Sequence, residues 1–339
     1  MRRFACASLF ALSLSTSALA ADQALIDAAR KEGEVNWYTS QIVNQFVIPA
    51  KDAFEKKYGL KVNYIRGDAS DLVLRITNEA RAGKVQADAY DGTATSAGLK
   101  KEGLALKWTP AEAARLGKDY NDPDGFWVGT NLYVLTPGFN TQLVKKGTEP
   151  RTLQDLLDPK WKGKMAWATT PNSSAAAGFI GLVLAEMGEE KGTAYLRDLA
   201  KQNIASMSVA ARQVLDQVIA GEYSIALQIF NHHTIISAQQ GAPSDWIPMN
   251  PAMGVLSVAG VTKDAPHPNA AKLLVDFLIS PEGQQVYGKA GYIPVDPNVP
   301  AIDDKLRPDG KNFRAIFFTP EAIDAAMPKW TKIYNDIFR

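Results

Sequence analysis

Strand-like and helix-like segments alternate along this chain, and two long apolar runs interrupt the alternation. Val35-Asn36-Trp37-Tyr38 reads as a strand ending in Thr39-Ser40-Gln41. A helix follows, with Phe46, Ala50, Phe54 and Tyr58 four residues apart and Pro49 in its early part. Lys61–Ile65 and Ala87–Tyr90 read as further strands, and between them a helix carries Val73, Ile76 and Ala80, with Asp68 or Ser70 as its cap. This βαβα order predicts a mainly parallel sheet flanked by helices.

The first long run, Phe126–Leu135, is expected to stop at Thr136-Pro137-Gly138; the second is Met253–Val261. Between them the pattern predicts a strand at Met165–Ala168, helices at Ser173–Met187, Glu189–Gln202 and Val209–Ala220, and an apolar strand at Ile225–Ile229 before a helix opened by Asn231. Two long strands bracketing a central α/β unit predict a chain that crosses twice between two domains. Helices at Ala270–Ile279 and Glu282–Lys289 return to the first domain, and Pro320–Phe338 forms a terminal helix. The expected division is a signal segment at 1–20, one lobe from 21–130 plus 258–300, and a second from 131–257 plus 301–339.

Arg2 and Arg3, the mostly apolar Phe4–Leu14 and the Ala18-Leu19-Ala20 step form the pattern of a cleaved secretory signal. A periplasmic mature chain beginning at Ala21 is therefore expected. The one cysteine, Cys6, lies inside that segment and away from the cleavage point, so a lipid-anchored cysteine, a disulfide and a Cys-based metal site are all excluded from the mature chain. The 37 basic and 36 acidic side chains nearly cancel, with or without Arg2 and Arg3. Near-neutrality argues against nucleic acid as a partner and against a strongly basic membrane-binding face. The chain has no G-x-S-x-G elbow, phosphate-binding P-loop, H-E-x-x-H or G-x-G-x-x-G. With three histidines and no paired nucleophile, an enzyme is the weaker reading, and no cofactor is expected.

Ligands of open α/β sheets sit beyond the carboxyl ends of the strands. The stretch Thr152–Phe179 places Thr170, Asn172, Ser173 and Ser174 between a strand and a helix start, where unpaired N–H groups and partial positive charge favour an anion. An ordinary helix cap explains the same residues equally well. His232 and His233 belong in the first turn of a helix or just before it, since residues deeper in a helix point about 100° apart; they can donate to an anion, ligate a metal, or simply pack. Arg66 can fork onto a phosphate or carboxylate, or pair with Asp68 or Asp71. Asp91 reads a ligand hydroxyl or amine, or caps the helix that follows, the latter being slightly favoured. Gln41 completes the set at the end of the first strand.

Five segments in order, EVNWYTSQ (Glu34–Gln41), ADAYDGTAT (Ala87–Thr95), DLLDPKWKGKMAWATTP (Asp155–Pro171), AGEYSIAL (Ala220–Leu227) and NAAKLLVDFLISPEGQQVYGKAGYIPV (Asn269–Val295), resemble the periplasmic solute-binding proteins of ABC importers, in the branch that includes ferric-iron-binding proteins. The resemblance spans nearly the whole mature chain. It implies a two-lobed type II periplasmic binding protein fold with two crossing strands as hinge. It also implies a ligand trapped between the lobes and an inner-membrane permease as partner; a monomer is expected. Iron-binding members usually carry two adjacent tyrosines where this chain has His232 and His233; they also tend to carry a histidine where it has Gln41-Ile42 and a glutamate where it has Gly92-Thr93. Ferric iron favours anionic oxygen donors, so the resemblance points here to a small anionic solute such as an organophosphate, phosphonate or carboxylate. The alternative is a metal on His232 and His233, with tyrosines such as Tyr38 or Tyr90.

Overall fold

The computed structural model describes residues 23–339; the expected signal segment 1–20, with Cys6, lies outside them. The first half opens with α1 (Gln23–Glu32), β1 (Glu34–Thr39), a π-helical turn at Val43–Val47, and α2 (Ile48–Tyr58). Pro49 stands in the first turn of α2, where its missing N–H has no helical partner to lose. Then come β2 (Lys61–Arg66), α3 (Ala69–Arg81), β3 (Ala89–Asp91) and α4 (Thr93–Lys101). The first long strand, β4, runs from Val128 to Asn140 and is buried at all but one position, as a strand covered on both faces must be.

The central unit contains β5 (Met165–Ala168), α5 (Ala176–Met187), α6 (Glu189–Ala200), β6 (Ala205–Met207), α7 (Ala211–Ile219), β7 (Ile225–Phe230), α8 (Asn231–Gln239) and β8 (Ser244–Trp246). The second long strand, β9 (Ala252–Val261), leads to α9 (Pro268–Ile279), α10 (Pro281–Lys289) and β10 (Ile293–Pro294). The chain closes with β11 (Ala315–Phe318) and α11 (Pro320–Phe338), whose cap Thr319 accepts from Ala322 N.

Two expectations are corrected. The strand expected to stop at Thr136-Pro137-Gly138 continues to Asn140, because a register shift between Thr136 and Gly138 takes Pro137 out of the ladder, where it needs no N–H. The helix expected from Ser173 begins at Ala176, since Ser173 and Ser174 are held in a turn.

The sheet order is β2-β1-β3-β9-β4-β7-β5-β6, with β10 and β8 on β4 and β11 on β9. Pairing is parallel within each half, β2-β1-β3 and β7-β5-β6, and antiparallel where β4 and β9 join them. The expected parallel sheet thus exists as two parallel pieces linked by two long antiparallel strands. One apolar core gathers Trp37, Phe46, Phe54, Leu273 and Phe277; another gathers Trp161, Trp167, Phe179, Leu196 and Trp330. The segment 301–339 divides between them, with Leu306 and Phe313 in the first and Ile323, Trp330 and Tyr334 in the second.

Register fixes where the strand ends point. Asp91, the last residue of β3, lies level with Ala259 and through it with Val128; Phe230, the last residue of β7, lies level with Leu135. The two strands run in opposite senses, so both carboxyl ends face the stretch 129–134 of β4, a span of roughly 20 Å at the usual strand rise.

Candidate functional site

In the first half, the polar groups at the strand ends are bound to one another. Ser40 donates to Asp91 Oδ1 twice, from its backbone N–H at 2.9 Å and its hydroxyl at 3.1 Å. Asp91 therefore ties the end of β1 to the end of β3 and does not cap α4, whose cap position is Gly92. Gly92 has φ +108°, and a Cβ there would lie 2.6 Å from Ser40 Oγ, so the tie requires glycine. Asp91 is fully buried, its Oδ2 has no hydrogen-bond partner among the described residues, and burial pushes its pKa up to about 6. Gln41 is also buried: its Nε2 donates to Ser257 Oγ at 3.1 Å, and its Oε1 accepts from Tyr133 OH at 3.0 Å. It thereby fastens the end of β1 to both long strands. Arg66 is brought to none of these groups; it is exposed and pairs with Asp68 at 3.2 Å.

The strand ends of the second half are more open. After β5, Thr170 is exposed and its hydroxyl reaches Val209 O at 3.4 Å, bringing this turn against the start of α7. Asn172 Oδ1 accepts from both the N–H and the hydroxyl of Ser174 at 3.0 Å, a side-chain turn that holds the chain short of helix. The carbonyl of Ser173 accepts from Gln228 Nε2 at 3.1 Å and packs on Gly178, where a Cβ would stand 1.9 Å from that oxygen. The Ser173 hydroxyl has no hydrogen-bond partner among the described residues. Behind this turn α5 starts at Ala176, with Ala175 at the cap position and no side-chain cap, so its first-turn N–H groups remain available to an acceptor.

His232 and His233 occupy the first turn of α8, directly beyond β7. His232 is buried and stacks on Tyr133 with ring centres 6.0 Å apart; Tyr292 lies 5.4 Å away and His233 4.6 Å away. Burial drives the His232 pKa well below 6.5. His233 is less covered, but its Nδ1 is buried without a partner among the described residues. Burial, and then the positive charge of Arg212, bring its pKa down to about 4. Both rings are therefore neutral at pH 7, each with one donor and one acceptor. The half-buried Tyr133 and the buried Tyr292 beside them have pKa values raised by desolvation, Tyr133 to about 12.

The structure thus joins Gln41, Tyr133 and His232 in one chain of contacts at the crossing strands. It places Thr170, Asn172, Ser173 and Ser174 at the neighbouring strand end. Tyr133, Tyr292, Ser257 and Arg212 were not singled out from sequence. Tyr38 and Tyr90 are engaged elsewhere, donating to Glu79 and to Phe126 O. Among the described residues no three His, Cys, Asp or Glu converge as a metal set, and no helix is long and apolar enough to cross a membrane.

Comparison with known proteins agrees with this architecture. Iron uptake protein A1 of Synechocystis is 24% identical over 95% of this chain and 92% of its own length. A Salmonella typhimurium protein named, provisionally, as a 2-aminoethylphosphonate-binding periplasmic protein is 23% identical over 89% of this chain and 85% of its own. The structure of the periplasmic binding protein AfuA from Actinobacillus pleuropneumoniae, with exogenous fructose 6-phosphate bound, superposes with a TM-score of 0.73 at 22% identity, covering 90% of this chain and 98% of that one. Its likeness supports the type II periplasmic binding protein fold. The profile of the bacterial extracellular solute-binding proteins matches residues 93–316, and the chain belongs to that family.

Proposed function

We propose that this chain is the periplasmic binding component of an ABC importer, working as a monomer that captures a small anionic solute between two lobes and delivers it to an inner-membrane permease. The family match supports the class. The observation that carries the choice of ligand is the uncapped first turn of α5 behind the Thr170–Ser174 turn. Backbone N–H groups, the helix dipole and the unused Ser173 hydroxyl suit an anionic group there. Neutral His232 and His233 would each supply one donor, and Asp91 would read a hydroxyl or amine from the opposite strand ends. The two apolar cores on either side of the long strands fit lobes that turn about β4 and β9. Ligand contacts from both sides would then favour the closed form. Binding groups without a nucleophile fit a carrier rather than an enzyme.

Ferric iron is the second reading, favoured by relatives named for iron uptake and by the tyrosines beside His232. The chemistry of the donors weighs against it: two neutral imidazoles and phenols held protonated by burial are poor partners for a hard trication. A thermal-shift panel separates the two. The expected result is stabilisation by fructose 6-phosphate, 2-aminoethylphosphonate or a small carboxylate; stabilisation only by ferric citrate or iron with carbonate would reverse the choice.

A further inference from the structure

Arg212 is the second residue of α7, which begins just beyond the end of β6. Because Thr170 reaches Val209 O, the turn after β5 and the start of α7 touch. Arg212 lies near enough to His233 for its charge to join burial in lowering the pKa of that ring. Its own engagement is light. Nε donates to Asp216 Oδ1 at 3.0 Å in a half-exposed pair, and its two Nη groups have no hydrogen-bond partner among the described residues. His233 Nδ1 and the Ser173 hydroxyl are likewise unpartnered, the former while buried.

We infer that Arg212 is a ligand-binding residue of this site, its open fork taking two oxygens of a phosphoryl or phosphonyl group. The inference rests on reading the second-half strand ends as the binding site, and it narrows the ligand to a phosphate monoester or phosphonate. A planar guanidinium suits paired oxygens better than an ammonium does. A multiply charged cation at the same place would be repelled by it. The pair with Asp216 is exposed and weak, so an incoming dianion can displace it.

Titration calorimetry at pH 7.5 with fructose 6-phosphate, 2-aminoethylphosphonate and inorganic phosphate tests this on the wild type and on R212Q, R212K and D216N. R212Q is expected to weaken whichever probe binds by about 10- to 100-fold, the usual weight of a charge-assisted pair, with its unligated melting temperature unchanged. R212K should recover part of the loss. D216N, which frees the guanidinium, should tighten binding by about two- to fivefold. Binding by R212Q within twofold of the wild type would overturn the role of Arg212 and leave the site reading standing. Failure of all three probes to bind the wild type would overturn both.

Discussion

At the ends of β1 and β3 the polar side chains are used on one another: Ser40 on Asp91, and Gln41 on Ser257 and Tyr133. At the ends of β5, β6 and β7 several are left open: the Ser173 hydroxyl, the first turn of α5, His233 Nδ1 and the fork of Arg212. The two sets face each other along β4, yet the first, apart from Asp91 Oδ2, is tied to itself, while the second holds several unused polar groups. Donors without acceptors are what an anion requires, and the proposed reading accordingly puts the anionic end of the ligand at the second half. The first half then holds β1 rigidly against the strands about which the molecule would turn.

The largest way to break this contrast is Gly178→Ala. Its Cβ would collide with the Ser173 carbonyl, forcing apart the turn and the helix start. A loss of about 3 kcal/mol in urea unfolding is expected, near the top of the overpacking range. Ligand binding should fall with it, and an unchanged midpoint would show that the turn is not held as described.

The two halves should also titrate in opposite senses. The folded-state pKa of Asp91, about 6, lies above the ordinary carboxylate value of 3.8. The folded protein therefore binds more protons than the unfolded chain between those values, and this group's contribution to stability is lost as pH rises from about 4 to 6. Asp91→Asn keeps an acceptor for Ser40 and should abolish that decline, a change of about 2–3 kcal/mol. His233 does the reverse. Its folded pKa, about 4, lies below 6.5, so its contribution is lost as pH falls through that interval. His233→Gln should flatten this slope by about 1–2 kcal/mol, discounted because the ring is only partly covered. Stability curves from pH 4 to 7 for the two variants measure both, and slopes of the same sign would contradict the contrast.

The smallest test is Tyr133→Phe. It keeps the ring against His232 and removes the bond to Gln41, leaving a buried acceptor unpaired at a cost of about 1 kcal/mol. Equal stability of the variant would mean that Gln41 finds another donor.

Much of this architecture is legible in the sequence because strands and helices announce themselves by period and by turn residues. The two long runs were visible as apolar strands, and the histidine pair falls on the first turn of a helix as expected. What local pattern hides is set by tertiary packing. Pro137 reads as a stop, but a bulge absorbs it. Tyr133 lies in an apolar run and reads as core, although its hydroxyl is the link to Gln41. Asp91 reads as a cap until Ser40 is seen to take it. Arg212 looks like any charged residue on an amphipathic helix, and only the meeting of the β5 turn with the start of α7 brings its end of that helix to the β5 strand end. Arg66, the more obvious arginine, is an exposed ion pair.

Hydrogen–deuterium exchange with and without a phosphorylated solute, fructose 6-phosphate or 2-aminoethylphosphonate, tests the central claim most directly. Strong ligand-dependent protection of residues 173–178 and 231–234 is expected. The amides of 40–42 and 91–95, already tied to one another, should change little. Protection confined to 40–42 and 91–95, or protection of the second half by ferric citrate but by neither phosphorylated solute, would contradict it.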